Sequence, residues 1–185
     1  MSGYYPPEFA DILRENFPDA VQEVIEFRDQ VTVIVDRDWL IEIATFLRDT
    51  EGLEFNYLSE LNAVDYWPEA PRFGINYIFY SFTHNHLIQL KLLVDETDPV
   101  VPSLTGVFPG ANWPEREVYD MFGVRFQGHP DMRRILMPYD WTGHPLRKDF
   151  PLGYEEVQYT FNIDRIEANK PTPSSDPPQV ETGTE

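Results

Sequence analysis

The sequence predicts an α+β domain, a mainly antiparallel sheet with helices on one face, followed by a long extended C-terminal segment that lies on a partner's surface. Three observations carry this. Two helical stripes stand among runs of strand character in the order helix, hairpin, helix, three strands, which is neither strict strand–helix alternation nor an all-strand pattern. The last three strands follow one another across polar turns, the usual mark of antiparallel pairing. After Asp98 the periodicity fades, and residues 124–166 hold many Gly, Pro, Tyr and Arg residues but no long helical stripe.

Phe9, Ile12, Leu13 and Phe17 fall at i, i+3, i+4 and i+8 between Pro6-Pro7 and Pro18, which predicts a short amphipathic helix over one face of the sheet. Val24 to Phe27 and Val31 to Val35 are β-branched or aromatic runs split by Arg28, Asp29 and Gln30, and predict a hairpin. Leu40, Ile43, Ala44 and Leu47 form a second helical stripe, with Asp36 or Asp38 placed to cap it and Gly52 past its end. Strands are expected over Leu53 to Tyr66, Gly74 to Phe82 and Leu87 to Val94. In the last, Ile88, Leu90, Leu92 and Val94 alternate with Gln89, Lys91 and Leu93.

These elements place an α+β domain over residues 1–123, an extended docking segment over 124–168 and a disordered tail over 169–185. The tail is rich in Pro, Ser and Thr, with no large aromatic. The docking segment carries Tyr139, Trp141, Phe150, Tyr154, Tyr159 and Phe161, whose apolar area needs covering. A structureless loop of that length within a compact domain is unusual, so either residues 124–166 hold elements that periodicity does not reveal or the segment lies extended across something else, and a partner's surface is the favoured cover.

Composition excludes several functions. The 185 residues contain no Cys, which removes disulfides, thiolate ligation of iron–sulfur clusters and thiol nucleophiles together. The net charge of −18 repels phosphates, so nucleic acid and anionic lipid are poor partners. Met1 to Phe9 offers neither a basic region nor an apolar run, so no secretory signal is read there. The uncharged stretch from Phe73 to Leu90 contains Asn76, Ser81, Thr83, His84, Asn85, His86 and Gln89, which suit a strand, turn and strand better than hydrocarbon, and no membrane span is expected. The charge is uneven: residues 1–104 hold 19 acids against 6 bases, whereas residues 105–150 hold 6 of each.

Residues 112–123, Asn-Trp-Pro-Glu-Arg-Glu-Val-Tyr-Asp-Met-Phe-Gly, read as a self-contained helix. Asn112 or Trp113 caps it, Pro114 suits the first turn, Glu115 and Glu117 complement its positive end, and Gly123 stops it. Arg116 and Asp120 are four apart and suited to pairing, while Val118 and Phe122 share an apolar face. Two Gly-His-Pro triplets follow, Gly128-His129-Pro130 and Gly143-His144-Pro145, each succeeded by bases, Arg133-Arg134 and Arg147-Lys148. Proline pushes each His towards extended backbone. The product is a ribbon presenting guanidinium groups to carboxylates or carbonyls of a neighbouring surface.

Glu115-Arg116-Glu117, Asp120-Met121-Phe122-Gly123, His129 and Arg133-Arg134-Ile135-Leu136, at these spacings, resemble the signature of the C subunit of proton-pumping NADH-quinone oxidoreductase. Asp140-Trp141, Gly143-His144-Pro145-Leu146-Arg147-Lys148-Asp149-Phe150 and Gly153-Tyr154 continue the likeness, so that it spans roughly 40 residues, far more than a lone short motif. The resemblance implies an unfused subunit of the peripheral arm, on the cytoplasmic side of the inner membrane, without flavin, cluster or quinone ligand of its own. FMN and the iron–sulfur clusters belong to partner subunits. It also implies a C-terminal extension that wraps neighbours, chiefly the D subunit and with it the B and I subunits, in an enzyme that passes electrons from NADH to quinone coupled to proton translocation. Equivalent subunits of ferredoxin-linked quinone reductases and membrane-bound hydrogenases share the pattern.

The same residues admit other chemistry. His84 and His86 would share one face of a strand as a metal pair, but no third ligand stands nearby and a polar turn explains them. Glu115, Glu117 and Asp120 would serve as an acid–base or metal cluster, yet a helix-start pattern accounts for two of them. A hydrolase using His129 or His144 lacks a nucleophile elbow, a Cys or an orienting partner. A free-standing acidic binding module is the remaining alternative.

Overall fold

The computed structural model describes residues 8–28 and 30–150, with 159, 161 and 163–169 beyond them. The first stripe forms α1 (Glu8–Asn16), which buries Phe9, Ala10 and Leu13. β1 (Val21–Phe27) and β2 (Gln30–Val35) make the expected hairpin, antiparallel, with Val31, Val33 and Val35 facing the core. Asp36 then accepts from the Asp38 N–H at 2.9 Å and caps a 3₁₀ turn, Arg37–Trp39, that leads into α2 (Leu40–Asp49). Leu40, Ile43, Ala44 and Leu47 are the buried residues of α2, as their spacing predicts.

β3 (Tyr57–Asp65), β4 (Phe73–Ser81) and β5 (His86–Val94) pair antiparallel in succession. β3 starts later than expected because Gly52 and Glu54 both adopt positive φ, which turns the chain, while the Phe55 N–H bonds back to the Leu47 carbonyl at 2.9 Å. The five strands take the order β1-β2-β5-β4-β3. The sheet is mainly antiparallel, as predicted, and its one parallel pair is β2 with β5, through Thr32↔Gln89, Val33↔Leu90 and Ile34↔Lys91. β5 fills the gap between hairpin and meander, and as a central strand it turns Ile88, Leu90, Leu92 and Val94 into the core. The same core takes Phe73, Ile75, Tyr77 and Phe79 of β4 and the apolar faces of α1 and α2. The opposite face carries polar groups in contact: Asn76 donates to Asn62 at 2.8 Å, Gln89 to Asn76 at 3.3 Å and Lys91 to the Tyr66 hydroxyl at 2.6 Å.

A second, smaller unit completes the domain. β6 (Val100–Pro102) pairs parallel with β7 (Arg125–Gln127), and α3 (Asn112–Phe122) crosses between them. Val101, Leu104, Phe108, Val118, Val124 and Phe126 join the main core. The segment expected to begin at 124 therefore starts inside the domain, and residues 128–150 lie back upon α3. A short helix, α4 (Ile163–Asn169), occupies the part where an extended run to 168 was expected. The tail expected over 169–185 lies outside the described residues from 170 onward, as does Tyr154. Among the described residues no helix is long and apolar enough to cross a membrane.

Candidate functional site

α3 is built on backbone more than on side-chain caps. Pro109 opens a 3₁₀ turn, Pro109–Ala111, that runs into the helix, and Ala111 rather than Asn112 or Trp113 holds the N-cap position, with no side-chain cap. Gly123, at φ 79°, ends the helix as its position predicts, its N–H bonding to the Tyr119 carbonyl at 2.8 Å.

Asp120 is wholly buried and is the anchor of the C-terminal segment. One oxygen accepts from Arg134 Nη1 at 2.5 Å, and the other from three successive backbone N–H groups, Ile135 at 3.1 Å and Leu136 and Met137 at 2.8 Å. Burial raises its pKa, but these donors outweigh burial and hold the carboxyl below its ordinary value. The expected Arg116–Asp120 pair is replaced: Arg116 donates to the Arg133 and Arg134 carbonyls at 2.9 and 3.2 Å, its guanidinium 5.4 Å from the Trp113 ring centre. Both residues thus grip the same turn from α3.

The segment also closes the end of α3, where the last carbonyls lack helical partners. His144 Nδ1 donates to the Asp120 carbonyl at 3.0 Å, the Leu146 N–H to Met121 at 3.1 Å and Arg147 Nε to Phe122 at 2.6 Å. Burial pushes the His144 pKa down, with Arg147 and Arg134 adding to it. A Cβ at Gly123 would fall 2.6 Å from both Arg147 Nη2 and the His144 ring, so this close fit requires glycine. His129 bridges the helix start, donating from Nε2 to the Asn112 carbonyl at 3.1 Å and accepting at Nδ1 from the Asp131 N–H at 2.9 Å. Arg133 is exposed and pairs with Asp131. Phe122 belongs to the core, and the Trp141 ring stacks on Phe150 with centres 6.3 Å apart.

Residues 148–149 reach the sheet through a network that sequence reasoning missed. Arg72, buried, binds Asp65 by two parallel hydrogen bonds of 3.0 and 2.9 Å, Asp149 at 2.5 and 3.1 Å, and Glu96. Asp65 accepts further from the Trp67 and Lys148 N–H groups at 2.9 and 2.8 Å. Burial works against the Asp65 carboxylate, but Arg72 and the two N–H groups bring its pKa down to about 2. Lys148 contributes its backbone, while its side chain is exposed. One signal was available: Arg72 is the sole Lys or Arg between Asp49 and Leu90. A lone base at the head of an apolar strand asks for an acidic partner.

Glu115 departs most from expectation. It is fully buried rather than turned to the helix end, and accepts from the Ser103 hydroxyl and the Leu104 N–H, both at 2.7 Å. Burial pushes its pKa up to about 7 against the pull of those two donors. Glu117 is exposed. Glu115, Glu117 and Asp120 therefore do not converge, and among the described residues no three acidic or His side chains are gathered to hold a metal. His84 pairs with Glu54 at 2.5 Å.

A group whose folded pKa is raised favours folding below its unfolded pKa, and that contribution is lost as pH rises through the folded value. For Glu115 the window runs from about pH 4 to pH 7, and the span amounts to about 3 kcal/mol. Glu115→Gln keeps an acceptor for Leu104 and a donor for Ser103 without the charge. The variant is expected to exceed wild type in thermal midpoint at pH 8 and to show a flatter midpoint between pH 5 and 7, measured by calorimetry.

Known proteins are similar to this chain over most of its length. Residues 33–156 match the family described as respiratory-chain NADH dehydrogenase, 30 Kd subunit. The C subunit of NADH-quinone oxidoreductase from Roseiflexus sp. strain RS-1 is 55% identical over 159 residues, which cover 86% of this chain and 91% of that protein. Its counterpart from Roseiflexus castenholzii is 52% identical over the same shares of the two chains. Among solved structures, the trypsin-resistant fragment (1–134) of Nqo5 superimposes with a TM-score of 0.57 at 28% identity, over 66% of this chain and 98% of the fragment. With the family match spanning α2, β3 to β5, α3 and the segment folded upon it, the chain belongs to the respiratory-chain NADH dehydrogenase 30 kDa subunit family, that of the C subunit of NADH-quinone oxidoreductase.

Proposed function

We propose that this chain is a redox-inactive structural subunit of the enzyme's peripheral arm, on the cytoplasmic side of the membrane, and that it docks on other subunits through residues 128–150. FMN and the iron–sulfur clusters are carried by those partners, and the D subunit is the chief contact, with B and I beside it. The absence of Cys supports the first part, because thiolate ligation is removed.

The observation that carries the docking role is a contrast within one segment. Its backbone and charged groups are tied to α3 and the sheet, yet Leu136 (60%), Tyr139 (74%) and Leu146 are exposed, as is Trp113 on α3. Large apolar side chains held outward on an ordered ribbon mark a surface made for another protein. The test replaces Leu136 by Asp and Tyr139 by Ser together. The thermal midpoint of the isolated chain should stay within about 2 °C, as for exposed positions without partners, while recovery of assembled, NADH-oxidising complex should fall at least tenfold. Assembly at the wild-type level would refute the docking role.

A further inference from the structure

Between β6 and the end of α3 lies a cleft of about 500 Å³ whose lining includes Asp98, Tyr119, Gly123, Arg125, His144 and Arg147. In a chain of net charge −18 this opening has an unusual balance. Its one carboxylate, Asp98, is already bound by Arg37, which also donates to the Asp98 and Val100 carbonyls at 3.1 and 2.9 Å. Arg125 is exposed and makes no ion pair among the described residues. Arg147 is half-buried: its Nε is spent on the Phe122 carbonyl, its plane lies 5.2 Å from the Phe73 ring centre, and none of its guanidinium nitrogens has a carboxylate within salt-bridge distance among the described residues. Burial lowers its pKa and nearby Arg72 adds to this, against the opposing pull of Asp149, Glu96 and Asp65 further off.

A partly desolvated guanidinium gains most from a carboxylate, which meets its planar donors two at a time. A second guanidinium across the same opening doubles the attraction and excludes lysines and arginines of an incoming surface. Gly123 is what lets Arg147 and His144 lie over the helix end and form one wall. We propose that this cleft receives an Asp or Glu side chain of another subunit of the enzyme, held by Arg125 and the free guanidinium nitrogens of Arg147. The proposal deepens the docking role above and rests on it, naming a second contact, at the C-terminal end of α3, and its chemistry.

The test uses the whole enzyme. Arg125→Lys keeps the charge and supplies an amine that a water-soluble carbodiimide couples to a carboxylate in contact with it. Mass spectrometry of the coupled complex is expected to find an amide from position 125 to an Asp or Glu of another subunit, absent from wild type because arginine does not couple. Arg125→Glu is expected to reduce recovered complex at least tenfold while the isolated chain keeps its thermal midpoint. Coupling only to this chain's own acids, such as Asp98, or no coupling at all, would overturn the proposal, as would wild-type recovery of the Arg125→Glu complex. The Leu136 and Tyr139 double variant, prepared alongside, separates the two ideas. If it fails to assemble while Arg125→Glu assembles normally, the cleft contact alone is wrong; if both assemble normally, docking through this face is wrong as a whole.

Discussion

Arg72→Ala is expected to destabilise the isolated chain by about 3 to 5 kcal/mol, the range for stripping one partner from a buried ion pair. Asp65 would remain buried with only two N–H donors, and Asp149 and Glu96 would lose the cation that ties residues 148–149 to the sheet. For a chain of this size that corresponds to a fall of roughly 10 °C or more in thermal midpoint. Arg72→Met should cost nearly as much despite its packing volume, since the stranded Asp65 carboxylate is the cause. Adding Asp65→Asn should recover a large part, and a double-mutant cycle in urea reads the coupling directly. The sign of the pH dependence follows from the depressed Asp65 pKa: its stabilisation is present above about pH 4 and fades as pH falls towards 2. The gap between wild type and Arg72→Ala should narrow over that window. A gap that stayed constant would mean that Asp65 is not the stranded charge.

Asp120→Ala is expected to act on a different scale, releasing a segment while leaving the sheet intact. Four donors lose their acceptor at once, and hydrogen bonds to a charged group contribute about 1.5 to 3 kcal/mol each before allowance for water reaching the opened turn. Amide hydrogen exchange at Ile135, Leu136 and Met137 should accelerate at least a hundredfold, whereas exchange at Leu90 and Leu92 should barely change. Assembly should be lost with it, because Leu136 and Tyr139 would no longer be held outward in a fixed arrangement. Asp120→Asn, which keeps one acceptor but sets an amide against Arg134, should fall between. Exchange at residues 135–137 equal to wild type in Asp120→Ala would show that the turn is held by Arg116 alone.

Local pattern made the elements legible and left their assembly obscure. The stripes of α1 and α2, the β1–β2 hairpin, the alternation in β5 and the Gly123 stop are each fixed by residues within a few positions of one another, so periodicity revealed them. The parallel pairing of β2 with β5 depends on residues separated by a helix and two strands, and β6 and β7 are three residues each, too short for a period to register. The site shows the same division. Asp120, His129, Arg134, His144 and Arg147 stood out through their spacing, but their work is to fasten residues 128–147 to α3, which spacing alone did not reveal. Asp65, Arg72, Glu96 and Asp149 share no local pattern, and Glu115 looked like a helix-start charge because burial is decided by Ser103 and Leu104 on the chain before it.

The parallel seam between β2 and β5 also sets an order of events at the ribosome. The β1–β2 hairpin is complete once Val35 has emerged, and it waits with the unpaired β2 edge and the apolar Val31, Val33 and Val35 until Val94 has been made. At ordinary synthesis rates of about 5 to 20 residues per second, that wait lasts roughly 3 to 12 s. An open, β-branched edge is a template for pairing with whatever chain is near. Glu23 and Glu26 on the companion strand are exposed in the folded domain, and acids beside such an edge act against its pairing with another chain.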